Sequence, residues 1–394
     1  MRRRYLTLIS ISVSLFLSAC SSGQSAPDNN PPEQPKTSTV EVLNNPLPPR
    51  LEALSANWET NWEKHTIPYD EFVSGGPPRD GIPSIENPEF ISLREAKDWL
   101  SPEEPVMVVN INGDARAYPL QILIWHEIVN DVVGDKPVLI SFCPLCNSAI
   151  VFDREVNGET YEFGTSGLLV NSDLVMYDRT TETLWQQLTG EAIVGDIVGN
   201  QLTMLPSSLV SFENFMSSFP DGIVMSRETG HDRKYGQNPY QGYDSRSSTL
   251  FSKEEDHGQL PAMERVVAVS LDNEDKAYPY SVLLDHPVIH DQIAGENVVI
   301  FFKKGTASAL DSKVIADGKD VGASGVFYPT VDGEKLTFKQ DGNDIVDNET
   351  GSTWDIFGKA TSGPLEGSQL EPIVHGNHFW FSWVAFKPST DVYQ

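Results

Sequence analysis

Val109-Asn110-Ile111-Asn112-Gly113-Asp114-Ala115-Arg116-Ala117-Tyr118-Pro119 has a counterpart 160 residues on: Val269-Ser270-Leu271-Asp272-Asn273-Glu274-Asp275-Lys276-Ala277-Tyr278-Pro279. Each holds an apolar run, then polar residues, and closes on Ala-Tyr-Pro. The match continues outward through His126 and His286, Asp131 and Asp291, and the apolar runs 138–142 and 298–302. Beyond it, Val151-Phe152 and Gly158-Glu159 match Val326-Phe327 and Gly333-Glu334 at an offset of 175. Asp178 to Trp185 matches Asp347 to Trp354 at 169, and Phe212, Phe215 and Pro220 match Trp380, Trp383 and Pro388 at 168. Segments in the same order with slowly drifting offsets predict two unequal internal repeats packed together.

Each copy reads as β-rich. Residues 106–111, 138–142, 149–155 and 160–163 are short β-branched or alternating runs, and Asn157-Gly158 and Asp332-Gly333 are hairpin turns that need φ > 0. Residues 120–128 carry Leu120, Leu123, Ile124 and Ile128 at helical spacing, and 212–219 is a second helix candidate. The expected class is α+β, predominantly antiparallel β. The expected layout is a signal peptide over 1–19, a lipid-anchored flexible linker over 20–50, a first repeat over 51–225, a connecting loop over 226–262 and a second repeat over 263–394.

The N-terminus supports the first two of these. Met1-Arg2-Arg3-Arg4 is followed by a short apolar stretch and Leu17-Ser18-Ala19-Cys20, which resembles the lipobox of bacterial lipoproteins, where the cysteine is lipidated. The stretch is too short to span a bilayer. The Pro-, Ser- and Asn-rich residues that follow cannot bury enough apolar surface to order themselves. A membrane anchor at Cys20 and an extracytoplasmic location are expected. The 394 residues hold 56 Asp plus Glu against 28 Lys plus Arg, a net charge of −28, which argues against nucleic acid as a partner.

Of three cysteines, Cys20 is thus an address, and Cys143-Pro144-Leu145-Cys146 remains at the end of an apolar strand. Three readings stand. A redox pair needs one thiolate to attack and one to resolve. A metal site takes two soft ligands from the pair and adds His126, His286 or His290, suiting copper or zinc. An inert bridge across so short a loop gains little stability. In the redox reading no cofactor is required, the partner is an unidentified thiol or electron carrier, and His126 and Arg179 are the candidate groups that tune the thiol. Arg154 and Arg179 lack basic counterparts in the second copy and read as thiol-tuning charges or as members of ion pairs with Asp153 and Asp178. Lys303-Lys304-Gly305-Thr306 stands where the second copy would carry cysteines, so the thiols are single. His375 and His378, which flank an aromatic run, read as core.

Ala117-Tyr118-Pro119, His126-Glu127-Ile128-Val129-Asn130-Asp131, Phe142-Cys143-Pro144-Leu145-Cys146, Met176-Tyr177-Asp178-Arg179 with Leu184-Trp185, Phe379-Trp380-Phe381-Ser382-Trp383 and the Gly75 to Pro83 loop together resemble the bacterial domain of unknown function 3179 family. The resemblance covers about residues 65–394. Some members of that family carry selenocysteine in the cysteine motif. The resemblance therefore implies chemistry at Cys143 or Cys146, run through the thiol in this chain, and favours redox over metal.

Overall fold

Strands Pro105–Ile111 and Asp114–Pro119 pair antiparallel, with Val106 opposite Pro119 and Ile111 opposite Asp114. Asn112 and Gly113 turn between them at φ 54° and 86°, the left-handed pair that a two-residue hairpin demands. The second hairpin, Arg265–Leu271 with Glu274–Pro279, has the same register, and Asp272 and Asn273 turn at φ 44° and 68°. The computed structural model describes residues 47–251 and 258–394. The predicted signal segment, Cys20 and most of the linker lie outside these residues. No helix among the described residues is long and apolar enough to cross a membrane.

Each hairpin sits in a sheet of the same plan. In the first, Ser208–Ser211 pairs antiparallel with Pro105–Ile111, and Ile223–Met225 pairs parallel with Asp114–Pro119. In the second, His375–Phe379 and Asp391–Val392 take those two places. A meander follows each hairpin: Ile128–Val133, Lys136–Cys143 and Ser148–Asp153 in one half, Val288–Ile293, Glu296–Lys303 and Ala323–Phe327 in the other. The aligned side chains make the same bonds. Tyr118 donates to Asp131 at 2.6 Å and Tyr278 to Asp291 at 3.0 Å, with Arg116 or Lys276 on the same carboxylate. The fold is α+β with antiparallel sheet dominant, as the sequence predicts.

Two local expectations need correction. The first helix is Leu120–His126, not residues 120–128. Glu127 leaves it at φ 60°, and Ile128 already begins a strand. Residues 160–163 are not one strand either: Glu159–Thr160 and Phe163–Val170 flank a break at 161–162. Arg154 is bonded at the break, where Tyr161 N–H donates to its carbonyl at 3.0 Å. Its buried guanidinium donates to the backbone oxygens of Val138, Tyr161 and Asp131 at 2.9–3.0 Å, so it is a backbone clamp and not an ion-pair partner. The Lys136 ammonium, at 2.5 Å, takes the Asp153 carboxylate instead.

Buried side chains of the two halves share clusters. Phe142, Phe152 and Trp185 pack in one with Phe379 and Phe381, and Phe212 and Phe215 in another with Phe301, Phe338 and Trp354. The large rings carry buried donors that need acceptors. Trp185 Nε1 donates to Asp178 at 3.0 Å and Trp354 Nε1 to Asp347 at 3.0 Å. Asp178 also accepts from the Thr180 and Thr181 amides and the Thr181 hydroxyl. Asp178→Ala strands these donors, and a loss of about 3 kcal/mol in unfolding free energy is expected. Urea unfolding followed by tryptophan fluorescence measures it.

Candidate functional site: a buried dithiol beside two carboxylates

The strand Lys136–Cys143 places Cys143 opposite Ser148 of the next strand. The turn between them closes with Cys146 N–H on Cys143 O at 3.2 Å and Asn147 N–H on Pro144 O at 3.3 Å, and Asn147 is left-handed at φ 50°. Both thiols are free and buried, Cys143 at 2 % and Cys146 at 0 % exposure. The second half holds this turn from outside: Phe379 N–H and Ser382 Oγ donate to Cys146 O at 2.9 and 3.3 Å.

A third group completes the cluster. Asp173 opens the strand Asp173–Asp178 after a turn at Asn171 and Ser172, both left-handed. A carboxylate oxygen of Asp173 and the two Sγ atoms lie within 4.8 Å of one another. Asp173 Oδ2 accepts from Leu188 N–H at 2.9 Å and Gln186 Nε2 at 2.5 Å, whereas Oδ1 is buried with no N–H or O–H partner. Burial pushes the carboxyl up to about 6, against the hydrogen bonds from Leu188 and Gln186, while Cys143 Sγ donates to Ser172 O at 3.7 Å.

Glu127 is the fourth acid. It caps the first helix in left-handed backbone, a conformation that favours glycine at this position. Its carbonyl accepts Phe142 N–H at 2.7 Å. Burial first, then the Asp173 charge, pushes its carboxyl up to about 8. Burial and the same two carboxylates push the Cys143 thiol above the usual cysteine value. Cys146 is pushed well above it by burial and by its neighbours Cys143 and Asp173. The connecting loop covers the pair. Tyr243, 3 % exposed, donates to Leu145 O at 3.0 Å, and Tyr240 packs edge-on against it.

The sequence-predicted partners are elsewhere. His126 is buried with Nδ1 2.7 Å from Pro83 O and Nε2 2.7 Å from the Tyr235 hydroxyl, and burial pushes it down to about 4. It is a neutral, fully bonded side chain. Arg179 pairs with Asp80 at 3.0 Å and Glu86 at 3.4 Å and donates to Ser84 and Tyr177. His286 is exposed at the end of the helix Tyr280–Asp285, and His290 accepts Phe338 N–H at 2.9 Å. No imidazole joins the thiols in the group of three. Cations were expected to activate the thiols; the structure gives them carboxylates.

The fold and site define a predominantly antiparallel α+β protein with a buried dithiol–carboxylate cluster in one half. The chain belongs to the family described as protein of unknown function (DUF3179), whose model matches residues 79–390 and so spans both halves and the whole cluster. Neither the curated proteins nor the solved structures hold a match to it.

Proposed function

We propose that the chain is a two-electron thiol redox protein working through Cys143 and Cys146, with Asp173 as the proton acceptor. The observation that carries this reading is the Asp173 carboxylate beside both sulfurs, with an ionisation near neutrality. Burial and acidic neighbours keep both thiols protonated, so a base must take the proton as the sulfur reacts. Asp173 is placed to do so. Cys143, the less strongly raised thiol, gives its proton to Asp173 and attacks one sulfur of a partner disulfide; the S–S bond breaks, and the second sulfur leaves as a thiolate that takes this proton back from Asp173. Cys146 gives its proton to Asp173 and attacks the Cys143 sulfur. The partner's first sulfur then leaves and takes up that proton. The chain ends as a disulfide, and the partner, reduced by two electrons, as two thiols. The same steps run in reverse.

Incubation in glutathione buffers of graded ratio tests this. A loss of two hydrogens mapped to Cys143 and Cys146 at a defined potential is expected, with a stable mixed disulfide on Cys143 in Cys146→Ser. A pair that stays reduced at every ratio overturns it.

One observation favours a second reading. Two Sγ atoms and a carboxylate oxygen free of N–H or O–H donors are also a ligand set for zinc. The hard oxygen argues for zinc over copper(I). Elemental analysis of reduced protein purified without chelator decides it: one equivalent of metal supports this reading, and none removes it. The proposed setting for either chemistry is outside the cytoplasm on a lipid anchor at Cys20, and the two halves are proposed copies of one unit, of which the second has lost the thiols.

A further inference from the structure

A cleft of about 600 Å³ opens between the halves; neither Cys143 nor Cys146 lines it, and the backbone of its wall residue Leu188 donates to Asp173. Leu188 and Met204 of the first half and Val374 and Trp383 of the second give it apolar walls. This volume and lining fall in the range of small-molecule sites. Its polar groups divide sharply. The Gln201 amide is spent on the Thr189 and Leu202 carbonyls, and the Lys387 ammonium on Asp275 at 3.2 Å. Three groups remain unspent, one of them the buried Nε2 of His375, which lines the cleft with no hydrogen-bond partner. Glu191 is part-buried at the cleft with the Thr66 hydroxyl beside it and no cationic partner among the described residues. His378, 1 % exposed, has a buried Nδ1 with no hydrogen-bond partner.

His378 is held as a platform. Its ring stacks on Trp383 at 5.4 Å and 12°. Gly376 makes the room, since a Cβ there would lie 2.1 Å from His378 Nε2. An aromatic wall beside an uncompensated carboxylate fits one ligand chemistry. The carboxylate needs a cation, an ammonium over an aromatic face is attracted by its quadrupole, and the apolar walls need a hydrophobic body. The net charge of −28 draws cations and repels anions.

We infer that this cleft binds a small hydrophobic amine, with its ammonium on Glu191 and its apolar body between Leu188, Met204 and Trp383. The buried imidazole of His378 offers a hydrogen bond to a polar group on that body.

Isothermal titration calorimetry of the full chain with tryptamine and with indole-3-propionate tests this. The two probes share the ring and a two-carbon spacer and differ in the sign of the terminal charge. Tryptamine is expected to bind one to one, with indole-3-propionate at least tenfold weaker. Glu191→Gln is expected to weaken tryptamine about tenfold while leaving indole-3-propionate nearly unmoved, and Leu188→Trp to fill the cleft and abolish both. Equal binding of the two probes, no binding of tryptamine, or tryptamine binding untouched by Glu191→Gln overturns the inference. The last result assigns any affinity to the general acidity of the chain.

Discussion

Asp173→Asn is expected to slow oxidation of the Cys143–Cys146 pair by oxidised glutathione at pH 7 by about 100-fold, the lower range of general base catalysis. The change keeps the shape of the side chain. Its amide oxygen can still take the Leu188 and Gln186 hydrogen bonds that position Asp173, but it cannot take a proton. The pH profile separates this role from a structural one. In the wild type the rate should rise through about pH 6, where Asp173 ionises. In the variant that limb should vanish, leaving only the rise from thiol ionisation at higher pH. A variant that retains the limb would show that the proton goes elsewhere. Stopped quench and mass spectrometry give the rates, and near-UV circular dichroism checks that the fold is kept.

Glu127→Gln is expected to make the reduced protein more stable at alkaline pH. Folding raises the Glu127 carboxyl to about 8, far above an ordinary glutamate near 4.3. The folded state therefore holds the proton more tightly than the unfolded one. The stability this gives is fully present below about pH 4 and is lost as pH rises through about 8. Asp173 contributes in the same direction, with its loss complete above about pH 6. Glutamine cannot ionise, so the variant escapes the larger loss. A gain of about 3 kcal/mol at pH 9, with little difference at pH 4, is expected in urea unfolding. Equal pH dependence in the two proteins would place the Glu127 carboxyl in water. The left-handed backbone at Glu127 makes the same point from another side, since glycine would fill that position with less strain.

The framework of this fold was legible because its signals are local. Asn157-Gly158 and Asp332-Gly333 turn two-residue hairpins at positive φ, and the apolar run 106–111 carries through to the strand Pro105–Ile111. The cysteine pair was legible for the same reason. Its surroundings were not. Asp173 lies 27 residues beyond Cys146 and reaches it only because two strands from separate hairpins meet at their ends. In sequence it is one polar residue at a strand start, as in many turns. Glu127 carries no signal of its own beside His126, because the helix ends in a left-handed residue that no spacing rule anticipates. After burial and Asp173, its buried carboxyl, and not the His126 imidazole, raises the Cys143 thiol. Arg154 and Arg179 show a similar limit: their charge was evident, but whether a guanidinium meets carbonyls or carboxylates depends on which loops fold over it.

The cover over the sulfurs has a consequence for rate laws. With Cys143 and Cys146 at 2 % and 0 % exposure beneath Tyr240 and Tyr243, no reagent meets a thiol until that cover parts. Chemistry then competes with reclosing. At low reagent concentration the observed rate is the opening equilibrium multiplied by the intrinsic reactivity. At high concentration it reaches a ceiling equal to the opening rate, the same for every reagent able to enter. The opening rate, and not the sulfur, is then the ceiling for any reagent that reacts with this pair.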